Sequence, residues 1–190
     1  MEQLRLFWAV NLPPPLKRRL ASLQEKLMSA NADARWVEEE NLHLTLQFLG
    51  NVEAQKTGLL IANMQSFLVG FSAFRLRLGG LGFFPNARRP RVFWAGIAGD
   101  LAALRRLHEH VQKANRLSGF PAEERDFRPH LTLARLRSNR GLNDLLAAVQ
   151  ELGAAVADLG ELPVTSVDLM KSELSPRGPA YTLLGKVELS

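Results

Sequence analysis

The tetrapeptide His-Leu-Thr-Leu occurs twice, at 43–46 and 130–133, in a chain with only 4 histidines. Shuffling this composition would yield about 0.004 copies of it, so the repetition is a constraint on the fold rather than an accident. In a strand, alternate side chains share a face. His43 and Thr45 therefore point one way, and Leu42, Leu44 and Leu46 the other. His130 and Thr132 stand against Leu131 and Leu133 in the same way. Each segment offers an imidazole and a hydroxyl on one side and leucine to a core on the other.

The copies lie 87 residues apart, and that shift aligns more than the motif. The apolar run Leu4–Val10 maps onto Arg91–Ile97. Pro13–Ala30 maps onto Asp100–Leu117, and both carry a helical stripe: Leu16, Leu20, Leu23 and Leu27, then Leu101, Leu104, Leu107 and Val111. Val52–Val69 maps onto Asn139–Val156, again with helical spacing, and Phe74–Gly79 onto Glu161–Ser166 as strands. The pattern predicts one unit of strand, helix, strand with His-x-Thr, helix and strand, used twice. The repeats run over about 4–84 and 91–171, with a final strand at about 179–189, in a single α+β domain spanning 1–190.

With 190 residues, a sizeable core is affordable. The chain has no cysteine, which excludes disulfides, thiolate metal sites and a cysteine nucleophile. The apolar run Leu6–Val10 is too short for a signal peptide, and nothing approaches the roughly 20 apolar residues of a membrane span. A cytoplasmic location and no membrane partner are expected. Net charge is +5, with an isoelectric point near 10.1, which favours anionic partners. Arg125, Arg128, Arg135, Arg137 and Arg140 bracket the second motif, and Arg88, Arg89 and Arg91 form another cluster. Positive charge beside paired His and Thr points to a phosphate-bearing substrate.

Two histidines on separate strands suit paired acid–base work, since an unperturbed imidazole titrates at about 6.5. Hydroxyls donate to an oxyanion. In-line displacement at a phosphodiester needs a base for the nucleophile, an acid for the leaving oxygen, and donors for the equatorial oxygens. A twofold repeat would set one His-x-Thr on each side of one phosphorus. Other chemistries lack their residues: no G-x-S-x-G elbow and no Walker A loop is present. His108 and His110 lie in a helical pattern where residues two apart diverge. No metal and no cofactor are expected. Leu78-Gly79-Gly80-Leu81-Gly82 is read as a bulged strand or turn.

These residues carry a family resemblance. Arg5-Leu6-Phe7-Trp8-Ala9-Val10 with Leu12-Pro13, Asn41 to Gly50, Arg89-Pro90-Arg91-Val92 with Trp94, and Phe127 to Arg135 resemble the two-histidine phosphoesterase superfamily. Within it, the chain is similar to the RNA 2′,3′-cyclic phosphodiesterases, formerly described as 2′-5′ RNA ligases. The resemblance implies a bilobal fold with two antiparallel sheets facing across a central cleft and helices outside. It implies hydrolysis of RNA ends or nucleoside 2′,3′-cyclic phosphates to 2′-phosphates without metal. By the same resemblance His43 is the proton donor, His130 the proton acceptor, and Thr45 and Thr132 grip the phosphate. Sequence alone leaves the order of the two histidines open, because the motifs are near-identical. Arg135 is a phosphate-contact candidate, although simple alternation puts it on the leucine face unless the strand ends or bulges. Phe7 and Phe48 are candidates for stacking a base, and of the two Phe48 reads better as core. The rivals are ligation in the reverse direction and a non-catalytic RNA-binding module. A monomer is expected.

Overall fold

The structure, a computed structural model, describes residues 2–123, 125–176 and 178–190. Its strands are β1 (Gln3–Asn11), β2 (Ala34–Trp36), β3 (His43–Glu53), β4 (Phe74–Phe84), β5 (Val92–Gly99), β6 (His130–Leu136), β7 (Gly160–Val164), β8 (Ser166–Ser175) and β9 (Gly178–Glu188). Its helices are α1 (Pro14–Met28), α2 (Thr57–Leu68), α3 (Leu101–Leu117) and α4 (Leu142–Leu152). One sheet has the order β3-β1-β8-β9 and the other β2-β6-β5-β4-β7, with antiparallel pairing throughout. This is the expected α+β architecture of two antiparallel sheets. No helix among the described residues is long and apolar enough to cross a membrane.

Alternation explains which sheet face each strand buries. In β1, Leu6, Trp8 and Val10 join the main core, whereas Phe7 and Ala9 form a separate small cluster with Met170. The helices seal the leucine faces. α2 and α3 pack together, α2 touches β9 and α3 touches β3, while α1 lies on α4 and β7. α3 starts where the sequence predicts, because the Asp100 carboxylate accepts the Ala103 N–H at 2.8 Å and caps it. A buried polar chain ties α3 to the first sheet: Trp8 Nε1 donates to Asn115 Oδ1 at 2.9 Å, and Asn115 Nδ2 donates to Gln47 Oε1 at 2.7 Å.

The sheets cross the repeat boundaries. The first takes β1 and β3 from the first repeat and β8 from the second; the second adds β2 and β4 to β5, β6 and β7. The single 87-residue shift also fails for the first strand of each repeat. Trp8 faces Gln47 as Phe93 faces Ala134, and Asn11 faces His43 as Gly96 faces His130. β5 is thus registered 85 residues after β1, and the connection from β5 to β6 is two residues longer than its counterpart. The helix-like stretch from Val52 begins later than its periodicity implies: Val52 pairs with Leu4, and β3 ends at Glu53. The glycines at 79–82 lie in β4 beside a register shift between Leu78 and Leu81, which is the bulged strand expected.

Candidate active site

Both motifs open onto one cavity. His43, Thr45, His130 and Thr132 line it together with Arg35 and Arg135. Each histidine is held in the same way. His43 Nδ1 donates to the Asn41 carbonyl at 2.6 Å, and His130 Nδ1 donates to the Arg128 carbonyl at 2.7 Å. In the neutral ring this partner assigns the proton to Nδ1 and leaves Nε2 as an acceptor. Thr45 Oγ1 lies 3.0 Å from His43 Nε2 and donates to it.

Burial keeps both rings uncharged at neutral pH. It pushes His43 down to about 4, against the pull of the Asn41 carbonyl and with help from the Lys17 and Arg135 charges. Burial also lowers His130, opposed by the Arg128 carbonyl and reinforced by Arg135. The cause is general: a ring removed from water gives up its charged form first. Two pre-positioned bases therefore face a space where positive charge is already in excess.

A bulge in each motif strand decides what else reaches the cleft. Between Trp8 and Ala9 the β1–β3 register slips past Leu46; between Phe93 and Trp94 the β5–β6 register slips past Leu133. One extra residue reverses the parity of everything beyond it. Leu133 and Ala134 are consequently both buried, and Arg135 turns back to the face of His130 and Thr132. The bulge is the condition that strict alternation lacked. In the other motif, Leu46 and Gln47 are both buried and Phe48 turns to the cleft. Phe48 is 54% exposed, so its reading as core is wrong, for the same reason that Arg135 faces inward.

Phe7 has the expected parity but is only 2% exposed. Its ring lies 4.9 Å from that of His43, 5.0 Å from Tyr181 and 5.8 Å from Phe48. It is a wall behind His43, and the open aromatic face belongs to Phe48. On the other side, Phe84 sits edge-on to His130 at 4.9 Å. His108 and His110 diverge, as helical spacing requires. His108 stacks on Phe127 at 3.9 Å, while His110 Nδ1 donates to the Arg106 carbonyl. No group of three or more His, Cys, Asp or Glu that could hold a metal ion lies among the described residues.

Two cleft residues have no motif to announce them. Tyr181, the sole tyrosine, packs edge-on to His43 at 5.1 Å, and burial pushes its phenol up, so it stays a protonated donor. Arg35 is paired directly opposite Arg135 across β2 and β6. Like charges so placed weaken a ladder. An anion bound between them would offset that repulsion.

Comparison with known proteins gives the family. The LigT-like phosphoesterase signature matches the chain twice, over residues 10–94 and 97–181, the same 87-residue spacing as the motifs. The chain belongs to the LigT-like phosphoesterase family. An RNA 2′,3′-cyclic phosphodiesterase of Aeropyrum pernix is 36% identical over 90% of this chain and 94% of its own length. A protein of the same name from Methanothermobacter thermautotrophicus is 35% identical, covering 95% and 96%. The crystal structure of E. coli LigT complexed with 3′-AMP superposes with a TM-score of 0.79 at 28% identity, covering 100% of this chain and 99% of that one. Within this family the two-sheet fold extends over the whole chain.

Proposed function

We propose that this LigT-like phosphoesterase hydrolyses RNA 2′,3′-cyclic phosphates to 2′-phosphates by paired-histidine acid–base catalysis without a metal. The observation that carries the reading is the convergence of both His-x-Thr motifs, with Arg35 and Arg135, on one cavity. Relatives named for this activity that match nearly the whole chain support it.

The chemistry follows from what each group can do. The cyclic phosphate carries one negative charge, which the paired arginines and the threonine hydroxyls receive. His130, the more open ring, takes the proton of the attacking water through its free Nε2. That water lies in line with the leaving O3′, on the far side of phosphorus. His43 protonates O3′ as the P–O3′ bond breaks, leaving the phosphate on O2′. The environments support this order of roles, which near-identical motifs left open. The ring with the lower basicity parts with its proton more readily and is the better acid. In the free protein that acid is uncharged. A bound phosphate monoanion favours the charged ring, against the burial that is the main cause of the lowered value and the Lys17 and Arg135 charges that add to it, so binding and protonation are coupled. The same site would ligate if an RNA 5′-hydroxyl took the place of the attacking water; water at cellular concentration favours hydrolysis.

Turnover of adenosine 2′,3′-cyclic phosphate tests the reading. His43→Ala and His130→Ala should each lower kcat/KM by about 10²–10⁴-fold. The double variant should lose far less than the product of the single losses, since the pair acts as one unit. Full activity in either folded variant contradicts the assignment, and so does an inactive wild type that merely binds RNA.

A further inference from the structure

A second, more open groove leaves the catalytic cavity and has no part in the chemistry above. It shares Thr45, Phe48 and His130 with that cavity, so the two meet at the reacting atoms. Beyond the junction it is lined by Phe84, Arg91, Arg125 and Arg128. Among the described residues none of these arginines is engaged in an ion pair. Among the described residues the opposing carboxylates are Glu123 and Asp126. Glu123 Oε1 accepts the Phe48 N–H at 3.2 Å, so it is turned to holding the strand that presents Phe48.

The opposite end of the cavity is bridged. Arg35 Nη2 donates to the Pro176 carbonyl at 2.8 Å, and Asn41 Nδ2 donates to the Pro179 carbonyl at 2.8 Å. These bonds tie the β8–β9 hairpin to the segments around β2 and the first motif. Covalent connectivity then limits a substrate. A cyclic phosphate occupies O2′ and O3′ of the last ribose, so the rest of an RNA strand departs from its O5′. That strand has to leave by an open end.

We propose that the groove carrying Arg91, Arg125 and Arg128 is the track for the RNA strand upstream of the reacting nucleotide. The inference rests on the cyclic phosphodiesterase reading above and adds to it the path of the strand that precedes the reacting nucleotide. The arginines receive the phosphates that precede the reacting one, and Phe48 offers a face to a base at the junction. Such contacts are sequence-tolerant, because every base has a stacking face and every linkage a charge.

The test compares an oligoadenylate trimer ending in a 2′,3′-cyclic phosphate with adenosine 2′,3′-cyclic phosphate. The wild type should favour the trimer by about tenfold in kcat/KM at low salt, with a log–log salt slope steeper by about 0.7 per upstream phosphate contact. The doubly substituted variant Arg91→Ala/Arg125→Ala should lose most of that preference and flatten the slope. Its kcat/KM on the mononucleotide should stay unchanged, which also demonstrates that it is folded. Equal wild-type values for the two substrates, or an equal loss on both in the variant, overturns the track. Failure of the wild type on both substrates overturns the cyclic phosphodiesterase reading itself.

Discussion

His43 meets two demands that pull apart. It is buried enough to sit at about 4, yet in the proposed mechanism it is the acid and has to carry a proton when the phosphate is present. The first demand has a cost in stability. Between about 4 and 6.5 the unfolded ring is protonated and the folded one is not, so the unfolded state binds more protons. Stability therefore rises with pH through that window and is lost on acidification. His130, also lowered, acts in the same sense. Urea denaturation between pH 4.5 and 7 should give a shallower pH dependence for His43→Gln than for the wild type; parallel curves would refute the assigned burial effect. The second demand predicts proton uptake on binding. A slowly hydrolysed 2′,3′-cyclic phosphorothioate should bind more weakly as pH rises from 6 to 8. Calorimetry in buffers of different ionisation heat should detect a fraction of a proton taken up, and zero uptake would mean that the anion does not reach His43.

The elements around the motifs mark where sequence reasoning stops. The faces of His43, Thr45, His130 and Thr132 were legible because period two is built into a strand. Phe48 and Arg135 were not placed by that rule, because a bulge adds one residue without a sequence signature of its own. Arg35 and Tyr181 were missed for another reason: β2 and β9 carry them in from far along the chain, and neither belongs to a repeated pattern. What holds the second bulge is a buried side chain on α1. Gln24 Nε2 donates to the Val37 carbonyl and to the Leu133 carbonyl, both at 2.9 Å. Gln24→Leu takes the side-chain donor from the Val37 carbonyl and leaves the Leu133 carbonyl with the Val37 N–H alone, at 2.8 Å, and should cost about 1–3 kcal/mol in denaturant unfolding. Because Leu133 is the bulged residue, the same variant should raise KM more than it lowers kcat, by loosening Arg135. A change in stability with kinetics untouched would separate the bulge from the phosphate site.

At the scale of the whole molecule, the duplication makes sense as one device built twice and closed on itself. Each half contributes one histidine fixed through Nδ1 to a carbonyl two residues upstream, and one residue turned inward by a bulge. The halves are not separable lobes, since each sheet borrows strands across the repeat boundary. The bulges then break the symmetry, delivering an aromatic ring, Phe48, from one half and a guanidinium, Arg135, from the other. In the proposed mechanism that asymmetry sets the direction of the ribose and hence which P–O bond breaks. Phosphorus NMR of adenosine 2′,3′-cyclic phosphate, incubated with the protein in excess chelator, tests the claim most directly. Paired-histidine chemistry with His43 at O3′ predicts sustained turnover and a 2′-monophosphate resonance as the sole product. A 3′-monophosphate would mean that the ribose lies the other way round, and turnover that stops until a divalent cation is returned would contradict proton traffic by the two histidines alone.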